Sequence, residues 1–384
     1  MRVGLLTLPL KGNYGGILQC YALRTVLQRL GHEVIVLRRE NPLKSKGVKD
    51  YAMAVAKCLT HVFLGRQHTY FPTREESAYL YQHLTRFVDE YIQPRTQPLY
   101  STRELRQQCL SDNYEAYVVG SDQVWRPCYT PCIGNYYLDF VEDQSNAGKI
   151  VYAASFGTDD WEYTPEETEV CAMLARKFQA ISVREQSAVA ICETRLGVKA
   201  EWVLDPTMLL ERSDYEELVS CAGEKKQDGN LFCYFLDDSQ DKKTMVYQLA
   251  AELSMTPFST KPRTCHIKEN VREHIEECVF RPVTQWIRAF MDAEMVVTDS
   301  FHGCVFSILF NKPFWVIGNE SRGMARFSSL LAIFGLQDRM ILPGMSPDWN
   351  KSIDWGMVNE IRQREKERSL DFLRGSLAHS ENVG

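Results

Sequence analysis

Apolar and polar positions along this chain follow two successive rhythms. The first opens with the apolar run 2-RVGLLTL-8 and the Gly-rich turn 11-KGNYGG-16. In 17-ILQCYALRTVLQRLG-31 apolar residues then recur at helical spacing up to a glycine stop. Residues 33-EVIVL-37 read as a second strand and complete a βαβ unit. Further strands are predicted at 116-AYVVG-120, 150-IVYAAS-155, 179-QAISV-183 and 201-EWVLD-205, each ending in small or polar residues. The stretch 40–110 breaks this rhythm. It is rich in aromatic and basic residues, and 74-REESAYLYQHLTRFVDEYI-92 predicts one long helix. It reads as a helical insertion.

The second rhythm begins after the polar patch 222-AGEKKQDGN-230. Strands are predicted at 231-LFCYFL-236, 294-EMVVTD-299 and 313-PFWVIG-318, and helices at 239–253, 284–293 and 324–335. A charged amphipathic helix, 354–377, ends the pattern. Short apolar strands separated by amphipathic helices imply parallel sheets covered on both faces. The expected fold is therefore α/β, with two Rossmann-like domains facing a cleft. The first domain takes residues 1–207 with the insertion at about 40–110, and the second takes 208–355. The terminal helix, about 356–384, is expected to cross back to the first domain.

A length of 384 residues suits two cores. The net charge of −6 argues against nucleic acid as the main partner. No run reaches the roughly 18 apolar residues of a membrane span, so a cytoplasmic protein is expected. The 12 cysteines are scattered, and Cys20, Cys171, Cys192, Cys233 and Cys304 sit in apolar runs, as small buried residues do. Cys128 and Cys132 form the closest pair. With no second Cys or His pair at zinc spacing, no metal is expected.

Candidate chemistry lies in the turns after the strands, where open α/β sheets bind ligands. Asn13, Gly15 and Gly16 open a helix, where backbone amides attract anions, although a plain tight turn looks the same in sequence. Ser121, Asp122, Gln123 and Trp125 follow the 116–120 strand. A flat indole beside a carboxylate and an amide is a common sugar platform, and a capped helix over a core tryptophan is the alternative. Arg184, after the 179–183 strand, can fork onto a phosphate or pair with Glu185. In 298-TDSFHGCVFS-307, Asp299 or Ser300 caps a helix whose first turn holds His302. The positive helix end disfavours an imidazolium unless an anion binds nearby, so a structural histidine gains little there. Asn319, Arg322 and Arg326 follow the next strand and add polar and positive groups to the same cleft.

Together these stretches resemble the polysaccharide pyruvyl transferase family. The matching pieces are 13-NYGGILQCYAL-23, 120-GSDQVW-125, 153-AASFG-157, 182-SVRE-185, 204-LDPT-207, 299-DSFHG-303, 313-PFWVIGNESRG-323 and 334-FGLQDR-339, in order. The resemblance implies a glycosyltransferase type-B architecture. It also implies transfer of the enolpyruvyl unit of phosphoenolpyruvate to a sugar as a pyruvate ketal, without a cofactor. His302 corresponds to the family's histidine, with general acid–base work or the leaving phosphate as its role, and Arg184 to a donor-binding arginine. Some members carry Arg where this chain has Ser300; Arg184, Arg322 and Arg326 are the candidates to replace its charge.

Asp122 is the expected base for a sugar hydroxyl, with Ser121, Gln123, Trp125 and Asn319 on the acceptor. Phosphoenolpyruvate is expected against Asn13, Gly15, Gly16 and Ser300 as well as the arginines. The acceptor is expected to be a sugar of a lipid-linked surface-polysaccharide precursor, with peripheral membrane contact through about residues 44–71, which mix basic with apolar side chains. Two other readings fit the pattern: a nucleotide-sugar glycosyltransferase of the same fold, and a non-catalytic glycan-binding protein.

Overall fold

A computed structural model describes residues 1–41, 73–237, 239–264, 273–318, 323–342, 345 and 347–381. The segment 44–71, Asn319 and Arg322 lie outside the described residues. The first sheet is built from β1 (Arg2–Leu6), β2 (Glu33–Leu37), β3 (Ala116–Val119), β4 (Gly148–Ala154), β5 (Ala180–Val183) and β6 (Glu201–Trp202). Its helices are α1 (Tyr14–Arg29), α2 (Arg74–Leu80), α3 (Gln82–Tyr91), α4 (Thr102–Asp112), α5 (Pro165–Ala175) and α6 (Gln186–Ile191). Helix α7 (Arg212–Ala222) leads to the second sheet: β7 (Leu231–Tyr234), β8 (Pro257–Phe258), β9 (Met295–Thr298), β10 (Phe314–Ile317) and β11 (Met340–Ile341). Around it lie α8 (Gln240–Glu252), α9 (Val283–Asp292), α10 (Phe301–Leu309) and α11 (Ala325–Phe334). Helix α12 (Trp355–Glu381) closes the chain.

Both sheets are parallel, in the orders β2-β1-β3-β4-β5-β6 and β11-β10-β9-β7-β8. Their central strands are buried along their whole length because helices cover both faces, which explains why they read as continuous apolar runs. One apolar cluster runs from Val3 and Leu23 through Met208 and Tyr215 to Trp286, Phe306 and Phe334, so the two sheets share a core.

Three differences from the sequence reading have physical causes. The long helix predicted over 74–92 is two helices, because Tyr81 leaves helical geometry (φ −102°, ψ 10°). Its ring packs on Phe280, with centroids 4.8 Å apart. Strands β8 and β11 have two residues each, too few to show a period. Helix α5 was not predicted, although 164-TPEE-167 carries its start signal: the Thr164 hydroxyl accepts from the Glu167 amide and the Glu167 carboxylate accepts from the Thr164 amide.

Among the described cysteines nine are free, including the five expected to be buried, while Cys278 is disulfide-bonded against expectation. No group of His, Cys, Asp or Glu that could hold a metal ion occurs among the described residues. No described helix is long and apolar enough to cross a membrane.

Helix α12 packs against the first sheet. The Ser369 hydroxyl accepts from the Leu204 amide (3.0 Å), Arg368 donates to the Trp202 carbonyl (2.7 Å), and Phe372 meets Tyr152. Leu373 is fully buried in this contact. Leu373→Ala is expected to cost about 2–5 kcal/mol, as other leucine truncations in packed cores do. Urea unfolding checks this, and a loss below ~0.5 kcal/mol would show that α12 is only loosely attached.

Candidate active site

In each sheet the connections leave two neighbouring strands in opposite directions, opening a crevice at the strands' carboxyl ends. In the first sheet these strands are β1 and β3; in the second they are β7 and β9. The turns beyond them supply the site. Helix α1 enters with Asn13 as N-cap, no side-chain cap bond and no acid in its first turn, so its leading amides are left for another partner. Helix α10 enters with Ser300 as N-cap, its hydroxyl accepting from the Gly303 amide (3.3 Å), which settles which of Asp299 and Ser300 caps.

The two helix starts meet. His302 lies so close to Gly15 that a Cβ added there would sit 2.0 Å from His302 Nδ1. Only hydrogen fits between them. The Tyr14 ring stacks on Trp286 at 5.6 Å, and its hydroxyl donates to the Arg281 carbonyl (2.9 Å), which fixes the start of α1 against the second domain.

Beneath the histidine lies a buried charge cluster. Arg184 donates from one terminal nitrogen to Asp205 (2.8 Å), from the other to Asp122 (3.0 Å), and its Nε lies 3.4 Å from Glu185. The guanidinium is 1 % exposed and stacks over Phe301 at 4.5 Å. Burial works against its charge, but Asp122, Asp205 and Glu185 outweigh burial and hold the guanidinium more firmly protonated than usual. Burial raises the Glu185 carboxyl, against the pull of Arg184. For Asp205 burial also opposes ionisation, yet His302 and Arg184 prevail and hold it well below the usual carboxylate range.

His302 Nε2 faces Asp205 Oδ2 at 3.6 Å, an ion-pair distance beyond hydrogen-bond reach. That nitrogen is buried and has no hydrogen-bond partner. A buried polar atom without a partner costs about 1–3 kcal/mol, so it marks a place where a ligand or a small shift completes the bond.

The other expected residues divide into two groups. Asn13, Gly15, Gly16 and Ser300 line the meeting of the helix starts, and Asn13 Nδ2 lies 3.5 Å from Asp122 Oδ2. Arg326 stands in the first turn of α11, partly buried, its pKa held down to about 10 by burial and by Arg184. Four expectations fail on geometry. Trp125 is fully buried, stacked on Tyr137 at 4.9 Å with its indole N–H on the Tyr136 carbonyl, so it is core and not a sugar platform. The Ser121 hydroxyl is buried and donates to the Ala153 carbonyl (2.9 Å). Asp122 is 4 % exposed, with one oxygen on Arg184 and the other beside Asn13, so it does not face an acceptor as a free base. Arg184 has its donors on carboxylates and does not fork onto a small anion here. Gln123 is partly buried and accepts from Arg126 (3.2 Å).

Asp205 was missed as a site residue. The signal was 204-LDPT-207 itself, an acid before a proline in the connection after a short strand, where Asp205 also accepts from the Thr207 amide and hydroxyl.

A family model described as polysaccharide pyruvyl transferase matches residues 13–321, a span that begins at the α1 N-cap and contains Arg184, Asp205 and His302. The chain belongs to the polysaccharide pyruvyl transferase family. No functionally curated protein matches it. Among solved structures it is similar to Arabidopsis thaliana UGT89C1 complexed with UDP-L-rhamnose, at 11 % identity over 97 % of this chain and 98 % of that one (TM-score 0.50). A glycosyltransferase from Rickettsia africae is similar at 8 % identity over 100 % and 98 % (TM-score 0.49), and the UDP-GlcNAc 2-epimerase of Neisseria meningitidis at 10 % over 99 % and 100 % (TM-score 0.48). Identities this low speak for the fold alone. Two parallel sheets facing across a crevice make this transferase glycosyltransferase type-B-like.

Because Asp205 ionises more easily in the folded protein than its ordinary 3.8, its stabilisation is present above that pH and is lost as pH falls through and below it. Asp205→Asn is therefore expected to destabilise by about 3–5 kcal/mol at pH 7, the usual cost of breaking a buried ion pair. The gap to wild type should narrow below about pH 4. Urea midpoints measured from pH 7 to about pH 2.5 check this, and a pH-independent gap would contradict it.

Proposed function

We propose that the chain transfers the enolpyruvyl group of phosphoenolpyruvate to two hydroxyls of a hexose, such as galactose, on a lipid-linked surface-polysaccharide precursor. The product is a pyruvate ketal, and the site would work at the cytoplasmic face of a membrane, as capsular polysaccharide assembly requires. Besides family membership, one observation carries the reading: an imidazole with a buried, unpartnered nitrogen stands where two helix N-termini from different domains meet.

Phosphoenolpyruvate has a phosphate and a carboxylate. The leading amides of α1 at Tyr14, Gly15 and Gly16, the start of α10 and the Arg326 guanidinium are the positive groups that suit them. The Ser300 hydroxyl is occupied as a cap, so these groups stand in for the arginine of other members.

The first sugar hydroxyl attacks C2 and gives up its proton, while C3 takes a proton to become the methyl group. The second hydroxyl then attacks C2 and gives up its proton, the bond from C2 to the phosphate oxygen breaks, and phosphate leaves, taking up that proton. His302 is the residue assigned to carry protons through these steps. Asp205 orients it through the 3.6 Å ion-pair contact at Nε2.

His302→Ala, assayed under conditions where it is shown to be folded, is expected to lower phosphate release from phosphoenolpyruvate, in the presence of an accepting glycolipid, by about 100-fold or more. Turnover within a few-fold of wild type would remove the role. Gly15→Ala is expected to act through the same ring. Its new methyl group displaces the imidazole, so turnover should fall at least ~10-fold. A mass-resolved screen of galactose-, mannose- and glucose-terminated glycolipids identifies the acceptor by the mass of an added pyruvate ketal.

A further inference from the structure

The carboxyl edge of the first sheet carries a small cavity that the chemistry above does not use. It is bounded by the ends of β1 and β2, by the loop from Thr7 to Lys11, and by Thr85, Val88 and Asp89 of α3. Its volume is about 140 Å³, below the roughly 300–1,000 Å³ of drug-sized ligand sites, so it admits a small ion or one end of a larger molecule.

Two arginines in its wall owe their places to backbone pairing beyond β2. Val36 bridges Arg95 and Arg39 bridges Leu99, both in parallel, so the segment 94–99 runs along the end of β2. Arg39 is 4 % exposed. Its Nε donates to Asn135 (2.6 Å), and one terminal nitrogen donates to the Glu40 and Leu99 carbonyls. All three acceptors are neutral. Among the described residues Arg39 has no carboxylate at ion-pair distance; Asn135 links it onward to Asp139 (2.8 Å), whose carboxyl is pushed up by burial and is a weakened counter-charge. The Arg95 side chain is 9 % exposed. One terminal nitrogen pairs with Asp89, and its Nε is buried without a hydrogen-bond partner. A guanidinium taken out of water is normally met by carboxylates, because neutral oxygens replace its hydration only in part.

Lys11 and Arg38 complete the charged lining and share one acid, Glu40, at 3.4 and 3.7 Å. Lys11 is largely exposed and marks the solvent side. Four cations therefore line the cavity with two carboxylates, Glu40 and Asp89, an excess of two positive charges. That excess decides the class of ligand. A carboxylate brings one negative charge, whereas a terminal phosphate brings about 1.5–2 near pH 7 and presents three strong acceptor oxygens. Guanidinium groups fork onto such oxygens.

We propose that this cavity binds a terminal phosphate group, with Arg39 and Arg95 as its inner donors and Lys11 at the mouth. It is an anion site of the first domain, apart from the helix starts assigned to phosphoenolpyruvate. One loop joins the two places: Thr7 to Lys11 line the cavity, and the residues that follow, Asn13 to Gly16, open α1 against His302. Under the transferase reading, on which this step rests, the phosphate belongs to a phosphorylated sugar of the acceptor, anchored beside the loop while its hydroxyls reach into the crevice. Free inorganic phosphate offers the same oxygens.

Isothermal titration calorimetry of the full chain at constant ionic strength, with inorganic phosphate, galactose 6-phosphate, acetate and phosphoenolpyruvate, tests this. Both phosphates are expected to bind wild type, and acetate at least ~10-fold more weakly. Arg39→Gln should weaken the phosphates at least ~10-fold. Because Arg39 is buried, Lys11→Ala with Arg38→Ala carries the same test from partly exposed positions: it cancels the excess of charge and should also weaken the phosphates at least ~10-fold, while phosphoenolpyruvate at the helix starts keeps its affinity. Tighter binding of galactose 6-phosphate than of inorganic phosphate names a phosphorylated acceptor as the source, and the reverse names free phosphate. Absence of phosphate binding, acetate binding as tight as phosphate, or undiminished phosphate binding by the Lys11 and Arg38 variant would overturn the cavity's assignment. If that variant loses phosphoenolpyruvate together with phosphate, the cavity is where both bind, so the transferase reading falls and the cavity stands.

Discussion

The site depends on one buried guanidinium. Arg184 gathers carboxylates from the connections after three strands of the first sheet: Asp122 after β3, Glu185 after β5 and Asp205 after β6. A charge this deep persists only when paired and hydrogen-bonded, and removing one partner typically costs about 3–5 kcal/mol. Three carboxylates on one cation leave an excess of negative charge even with Glu185 drawn toward neutrality by burial. His302, entering from the second domain, faces that excess through Asp205. The cluster therefore serves the imidazole, and on the proposed reading a substrate anion would meet the helix starts and Arg326. Reading Arg184 as a direct phosphate ligand placed the positive charge on the wrong side of the crevice.

Close approach of the domains requires glycine where their backbones touch. Gly15 admits the His302 ring. Gly323 has φ +85°, and a Cβ there would lie 1.9 Å from the Gly157 carbonyl oxygen, so a side chain is excluded by both conformation and space. The Gln186 amide donates to the Ser329 hydroxyl across the same boundary (3.0 Å). With Tyr14 stacked on Trp286, these contacts hold the imidazole within range of Asp205, and a small relative shift of the domains would make or break that pair.

Much of this was legible in the sequence. Strands β1 to β5, β7, β9 and β10 announced themselves as apolar runs, and the turns after them contained the site residues. The periodic segments gave α1, α8, α9, α11 and α12. What failed was direction. Apolar period does not say whether a polar residue at a strand end faces the crevice or its own scaffold. Trp125 and Ser121 turned inward, and Asp122 turned to Arg184. The Asp205–His302 pair spans nearly a hundred residues and two domains, so no local pattern encodes it. The split at Tyr81 likewise depends on Phe280, a contact that no window of neighbouring residues contains.

The account turns on whether His302 meets the donor. Nitrogen-15 NMR of the histidine-labelled protein, titrated with phosphoenolpyruvate and assigned by comparison with His302→Ala, tests that contact directly. The His302 ring resonances should move saturably to a one-to-one end point. Saturable binding that leaves them in place while other histidines move would contradict the site described here.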